Sequence, residues 1–424
     1  MYPNPQDVLP LPPRPDLGQY RTRAKELHAA AQDGDAALLS WARDWIAVLS
    51  RLQADSSTTS ARELERRAGQ VAHFARERLV ERAGNLSQAQ FVIARAHGFL
   101  SWPALVAHVE GLAEPDSATA AYEAAADAVV TGDLPALTRL LRADPSLIRA
   151  RSRREHEATL LHYVSANGVE HYRQRTPANI LDIARHLLDA GAEVDAPANV
   201  YGGGATTLAL TVTSAHPRAA GVQNALADLL LARGAVLDPR LPHYCLVNGC
   251  PEAAAHLASL GAPVDVVTAA GIGQVEVVRE ALAAPGGLSP VEQGRAMVMA
   301  AWYGERAVVA AMLEAGVAPG AVRGEDGQTA LHVAAFQGDV ALVELLLSRG
   351  APVALPDKVY GTPPLVWALH AWLVEQKGPA EAYAQVATRL LDAGAVPRRE
   401  WLDDPRVRAQ PALHARMAQA VARS

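Results

Sequence analysis

The sequence predicts an all-α chain, a solenoid of about eight helix-turn-helix repeats, three with insertions, preceded by a small helical domain. Three observations lead there. Residues 324–351 read GEDGQTALHVAAFQGDVALVELLLSRGA, two short apolar helical segments bounded by a capping threonine and by glycines. The same landmarks recur along most of the chain. Each helix pair also leaves an apolar face that it cannot bury alone, so neighbouring pairs must stack.

Within that stretch the local physics is readable. Thr329 is placed to cap the first helix, which Ala330 and Leu331 enter, and His332 is placed to hydrogen-bond between neighbouring turns rather than to act as a base or ligand. Ala334 and Ala335 are small where helices must approach closely. Gly338 ends the first helix, and Gly350 supplies the left-handed exit from the second. Between them Leu342, Val343, Leu345, Leu346 and Leu347 form an apolar stripe. This run is similar to the ankyrin repeat, a β-turn and two antiparallel helices in about 33 residues. The resemblance implies an array that binds through its concave face.

With this unit as a ruler, first helices are expected to end at Gly132, Gly168, Ala215, Gly249, Gly273, Gly304, Gly338 and Trp372. Second helices are expected to exit near Pro145, Gly191, Gly234, Gly261, Gly286, Gly316, Gly350 and Gly394. The two landmarks lie 12 residues apart in repeats four, six and seven, but 23, 19 and 22 apart in repeats two, three and eight. These three therefore carry insertions, each leading to a proline (Pro177, Pro217, Pro379) suited to the first turn of the second helix. Repeat eight departs from the pattern, with Val366 in place of the histidine and Trp372 in place of the glycine, which leaves its helix boundary open. The expected divisions are a proline-rich segment at 1–15, a helical leader at 16–113, the array at 118–396 and a C-terminal capping region at 397–424.

In the leader, residues 16–31, 36–54 and 60–83 show helical spacing, with a loop at 56–60 and Ser60 as a cap. Arg62, Arg66, Arg67, Arg76, Arg78 and Arg82 are interleaved with Glu63, Glu65, Glu77 and Glu81, which predicts a solvated surface rather than a phosphate-binding face. NLSQAQFVIARAHGFLSWPALVAHVEGL at 85–112 predicts two short helices, one capped by Ser87 and ended by Gly98, the next started by Ser101-Trp102-Pro103. Phe91, Ile93, Phe99, Trp102, Leu105 and Val109 are available for a small core. This segment resembles a leader found ahead of ankyrin arrays in many bacterial proteins. Residues 201–235 and KVYGTPPLVWALHAW at 358–372 resemble one bacterial group of such proteins, a resemblance that brings no assigned activity.

Composition narrows the function classes. The chain is 50% hydrophobic and 5% aromatic, and a formal charge of −6 offers no general attraction to nucleic acid. No stretch reaches membrane-span length and residues 1–15 lack the regions of a signal peptide, so the expected location is cytoplasmic, with no membrane partner. Cys245 and Cys250 have no His or Cys at ligand spacing and are read as thiols rather than metal ligands or a disulfide. No nucleophile, metal or cofactor motif stands out, so no catalytic residue, metal or cofactor is expected.

Function is therefore expected on the concave face. The residue pairs preceding the first-helix endings are Val130-Thr131, Ala166-Asn167, Thr213-Ser214, Val247-Asn248, Gly271-Ile272, Trp302-Tyr303, Phe336-Gln337 and His370-Ala371. Small polar groups line repeats two to four, whereas Trp302, Tyr303 and Phe336 cluster in repeats six and seven, as interface anchors do. Tyr201-Gly202-Gly203-Gly204 and Tyr360-Gly361 mark the turn tips of repeats three and eight, where extra glycine permits close backbone approach. The inserted His171-Tyr172-Arg173-Gln174-Arg175 is basic and aromatic, suited to a carboxylate or phosphate on a partner. These residues predict a non-enzymatic scaffold that grips a protein segment. The alternative is a small-ligand or enzyme pocket formed by repeats two, three and eight, using His171, His216 or His370.

Overall fold

The computed structural model of the chain describes residues 2–51 and 60–423, in two compact units, Met1–Leu237 and Asp238–Ser424. Among the described residues the regular structure is helical, with two isolated β-bridges, Ala198 to Ala205 and Val322 to Thr329. Most of the loop expected at 56–60, and the last residues of the helix expected to reach 54, lie outside the described residues.

Unit 1 opens with α1 (Leu17–Asp33), α2 (Asp35–Arg51), α3 (Ala61–Arg76), α4 (Leu86–Ala96) and α5 (Trp102–Ala113). Asp16, Ser60 and Ser101 accept backbone N–H bonds from Gln19, Glu63 and Ala104, which fixes three of the starts. The start of α4 differs from the expectation. Asn85, not Ser87, is the cap, because its side-chain oxygen reaches the N–H groups of both Ser87 and Gln88. Tyr20, Leu27, Trp41, Trp45, Phe74, Ile93, Phe99 and Leu105 fill the core between these helices. Most of the interleaved charges pair on the helix surface, Arg66 with Glu63, Arg76 with Glu81 and Arg82 with Glu77, but Arg67 departs from the expected solvated face, being buried with its guanidinium on Glu63. The proline-rich segment is packed as well: Leu9 is buried and donates its N–H to Ala96 O at 2.8 Å, while buried Asp7 pairs with Arg66 at 2.8 Å.

The same unit holds α6 (Ala118–Thr131) and α7 (Leu134–Ala143), then a 3-10 turn at Leu160–Ser165 paired with α8 (Ile180–Asp189). It ends with α9 (Thr207–Val212), α10 (Ala215–Ala219) and α11 (Gln223–Ala232). Two proline expectations are corrected. Pro177 lies ahead of α8, because Asn179 donates its side-chain amide to Gly132 O at 2.8 Å and holds the chain back until Ile180. Pro217 sits in the first turn of α10, a short extra helix inside the insertion, and α11 starts only after a left-handed turn at Gly221. The first helix of repeat three accordingly ends at Val212, ahead of Ala215.

Unit 2 stacks five helix pairs: α12 (Leu241–Val247) with α13 (Pro251–Ser259), α14 (Val266–Gly271) with α15 (Val275–Ala283), and α16 (Pro290–Trp302) with α17 (Arg306–Glu314). Then follow α18 (Ala330–Gln337) with α19 (Val340–Ser348), α20 (Pro364–Leu373) with α21 (Ala380–Asp392), and the closing α22 (Pro405–Arg408) and α23 (Pro411–Arg423). First helices pack on first helices, with α16 between α14 and α18, and α18 against α20. The reason is visible at Gly271, where an added Cβ would lie 2.7 Å from Leu246 and 2.8 Å from Met299. In repeat seven Thr329 caps α18 by accepting from His332 N–H, and His332 Nε2 donates to Thr362 O at 3.1 Å, bridging to the next turn. Leu342, Val343 and Leu346 are fully buried in the shared core; Leu345 and Leu347 pack at its edge. In repeat eight α20 runs one residue past Trp372, and Pro379 caps α21 instead of entering it.

Candidate functional site

Trp302, Phe336 and His370 stand 34 residues apart in sequence, at the same position near the ends of α16, α18 and α20. Stacking of those helices therefore sets them in a row. The Trp302 and Phe336 rings meet at 5.9 Å and 71°, Phe336 and Trp367 at 5.7 Å and 75°, and Trp367 and Tyr360 at 6.3 Å and 70°. These are edge-to-face contacts, the arrangement ring quadrupoles favour. They wall a groove of about 500 Å³, completed by Gln328, His370 and Glu375.

One buried carboxylate organises its far wall. Asp357 accepts the N–H groups of Val359, Tyr360 and Thr362 at 2.8, 2.6 and 3.1 Å, the Thr362 hydroxyl at 2.9 Å and the Trp367 indole N–H at 3.1 Å. Burial alone would raise its pKa, yet these donors hold it at about 2. The turn thus presents Tyr360, 71% exposed, while Trp367 is locked beside it. Trp367 is absent from the residues picked out by sequence. Its signal is spacing, three residues before His370 and so on the same face of α20.

The other expected residues of unit 2 divide. Gln337 is exposed and donates to Trp302 O at 2.7 Å, at the groove edge. Asn248 is exposed but bonds back to Tyr244 O of its own helix at 2.8 Å. Tyr303 is placed differently from its neighbour, its hydroxyl donating to the Leu246 carbonyl and so tying α16 to α12.

In unit 1 the structure brings Asn167, Thr213 and Tyr201 together. Asn167 donates to Thr213 Oγ1 at 3.3 Å and its Oδ1 accepts the Tyr201 hydroxyl at 2.9 Å. Ser214 is buried against Ala166 O. Gly202, Gly203 and Gly204 have φ of 101°, 92° and 77°, a left-handed run that side-chain-bearing residues resist. Gly202 and Gly203 share with the chain's own Pro3, Asn4 and Pro5 the wall of a cavity of about 550 Å³ that includes His156, and among the described residues no group packs against Gly202 or Gly204.

The basic insertion faces inward. Arg173 is buried, its guanidinium 2.7 Å from Glu123 and 2.7 Å from Asp127, and Arg154 reaches Glu123 and Glu170 at 2.9 Å each. Tyr172 accepts from Arg154 at 3.2 Å. Burial opposes ionisation of both glutamates, but Arg154 and Arg173 hold Glu123 at about 2 and Glu170 well below the usual carboxylate range. Arg173 and Tyr172 are therefore engaged by groups inside the unit, because two buried carboxylates need cationic partners. His171 and Arg175 remain exposed, Arg175 beside a cavity of about 450 Å³ lined also by Leu11 and Pro12.

His171 and His216 belong to unit 1 and His370 to unit 2. Among the described residues no three His, Cys, Asp or Glu side chains are grouped to hold a metal ion. Cys245 and Cys250 are buried and form no disulfide, and burial pushes the Cys245 thiol up to about 12, away from a reactive thiolate. No helix among the described residues is long and apolar enough to cross a membrane.

No curated protein matches the chain. Among solved structures it is similar to the human ASB11 ankyrin repeat domain, with 21% identity over 65% of this chain and 99% of that one, at a TM-score of 0.31. Residues 326–358, which carry Phe336 and run from the turn before α18 to the turn before α20, match the ankyrin repeat family.

Proposed function

We propose that the chain is a non-catalytic scaffold whose unit 2 binds a segment of a protein partner in the groove across α16, α18 and α20. The observation that carries this reading is the row Trp302, Phe336, Trp367 and Tyr360, large rings ordered by mutual contact along a groove, with Tyr360 exposed, Trp302 and Phe336 half-buried and Trp367 buried behind them. Buried hot spots in protein interfaces are rich in such rings. Ankyrin repeats generally serve as protein-interaction scaffolds, and the family match falls on the middle of this row. Gln337 and His370 flank it as polar contacts, while Asn167, Thr213, Tyr201 and the exposed His171 and Arg175 offer a separate surface on unit 1. A cytoplasmic setting without nucleic acid suits the formal charge of −6.

The test is affinity capture under mild salt with the native chain and with a Trp302→Ala, Tyr360→Ala double variant. Tyr303 is left intact because its hydroxyl ties α16 to α12. Loss of both rings is expected to weaken the partner by about 2 kcal/mol or more, with circular dichroism unchanged. A partner held equally by a folded double variant would refute the groove.

A further inference from the structure

Resting on that reading, we infer that the residue the groove recognises on its partner is a lysine, with its ammonium group on the aromatic faces and its charge answered by Glu375. The chain itself supplies the precedent. The Lys377 ammonium stands 4.1 Å from the centroid of the Phe336 ring and 3.7 Å from Glu375 Oε2. An ammonium is drawn to the electron-rich face of a ring, most strongly to that of tryptophan. Here the stronger platform Trp302, half-buried, lies beside the phenylalanine that Lys377 covers, and the buried Trp367 backs it on the other side.

The rest of the groove has the same complementarity. Its lining includes one carboxylate, Glu375, and the ammonium set beside that acid is the one of Lys377. Glu375 also has His370 Nε2 at 3.4 Å, so the acid sits at the rim between an imidazole and the Lys377 ammonium. The remaining walls are largely aromatic, which suits the four-carbon stem of lysine. A phosphorylated or acidic residue would meet Glu375 and the negative faces of the rings. A neutral apolar residue would gain nothing from Glu375 and would have no charge with which to displace Lys377 from it.

Lys377 is then an internal competitor. It lies in the segment after α20, beside Gln376 with a left-handed φ of 55°, and its backbone N–H bonds Ala371 O at 3.0 Å. An incoming lysine takes over the ring faces and Glu375 as the side chain of Lys377 swings into solvent. Removing the Lys377 charge should therefore tighten binding, the opposite of what loss of a structural contact would do.

The experiment titrates the full chain with three capped Gly/Ala dodecapeptides that differ at one central residue, lysine, norleucine or arginine, followed by calorimetry at low salt. The lysine peptide is expected to bind about tenfold tighter than the norleucine peptide. Lys377→Gln should strengthen lysine binding several-fold, and Glu375→Gln should erase the preference, with thermal unfolding of both variants unchanged. Equal binding of norleucine overturns the cation reading while leaving a peptide-binding groove. Tighter binding of arginine overturns the assignment to lysine, and failure of all three peptides at millimolar concentration overturns the inference. The capture assay with Trp302 and Tyr360 judges the scaffold reading independently.

Discussion

Asp357→Asn probes the one carboxylate on which the far wall of the groove depends. The substitution keeps volume and one accepting oxygen, but it turns an NH₂ toward the Thr362 N–H, the Thr362 hydroxyl or the Trp367 indole N–H, all of which donate to Asp357 Oδ2. Donors would then face a donor. The pKa of about 2 against an ordinary 3.8 corresponds to about 2 kcal/mol favouring the ionised folded state. Loss of hydrogen bonds to a charged acceptor gives a similar figure, about 1.5–3 kcal/mol. Urea unfolding of both chains, followed by tryptophan fluorescence, should show that deficit at pH 7. The folded pKa is depressed, so the carboxylate's contribution is full above about pH 4 and declines as pH falls through about 2. The two stability curves should therefore approach each other in acid. Equal stability at pH 7, or a deficit that is the same at pH 7 and pH 2, would refute the proposed role.

Three further outcomes are expected. Leu346 is fully buried in the shared core, so Leu346→Ala should cost about 2–5 kcal/mol in chemical unfolding, and a loss below about 0.5 kcal/mol would contradict the packing of repeat seven. Burial holds His97, His108 and His162 at about 4 against an ordinary 6.5, so the unfolded chain takes up protons first. Unit 1 should hold its full histidine contribution above about pH 6.5 and lose it progressively down to about 4; a flat stability profile by circular dichroism across that window would argue against neutral buried rings. Arg173→Met should destabilise unit 1 by about 3–5 kcal/mol by leaving Glu123 under-compensated, and adding Glu123→Gln should recover part of the loss in the same unfolding assay.

The repeat-seven helices were legible because their rules act over a few residues. Thr329 caps a helix whose donor is three residues away, and Gly338 terminates it at a left-handed φ of 68°. Such choices are made by sterics and hydrogen bonding within one turn. The same short-range rule misplaced all three insertion prolines: Pro217 fits the first turn of an extra helix, α10, while Pro177 and Pro379 stop short of the first turns of α8 and α21. The row of Trp302 and Phe336 was readable from the repeat period, but its closing ring, Trp367, depended on Asp357 and on the turn that holds Tyr360.

The sequence by itself determined the helix class, the repeat period and the caps at Ser60, Ser101 and Thr329. Only the tertiary structure decided which polar and aromatic groups are engaged inside the fold and which are left on its surface. Arg173 reads as a basic surface residue until Glu123, 50 positions earlier, is seen to hold it, and Tyr303 reads as an anchor until its hydroxyl meets Leu246 O, 57 positions away. A helix start is settled by donors and acceptors inside one turn of chain. The use of a charge or a ring is settled by what stacking brings opposite it, and burial makes that distant partner obligatory.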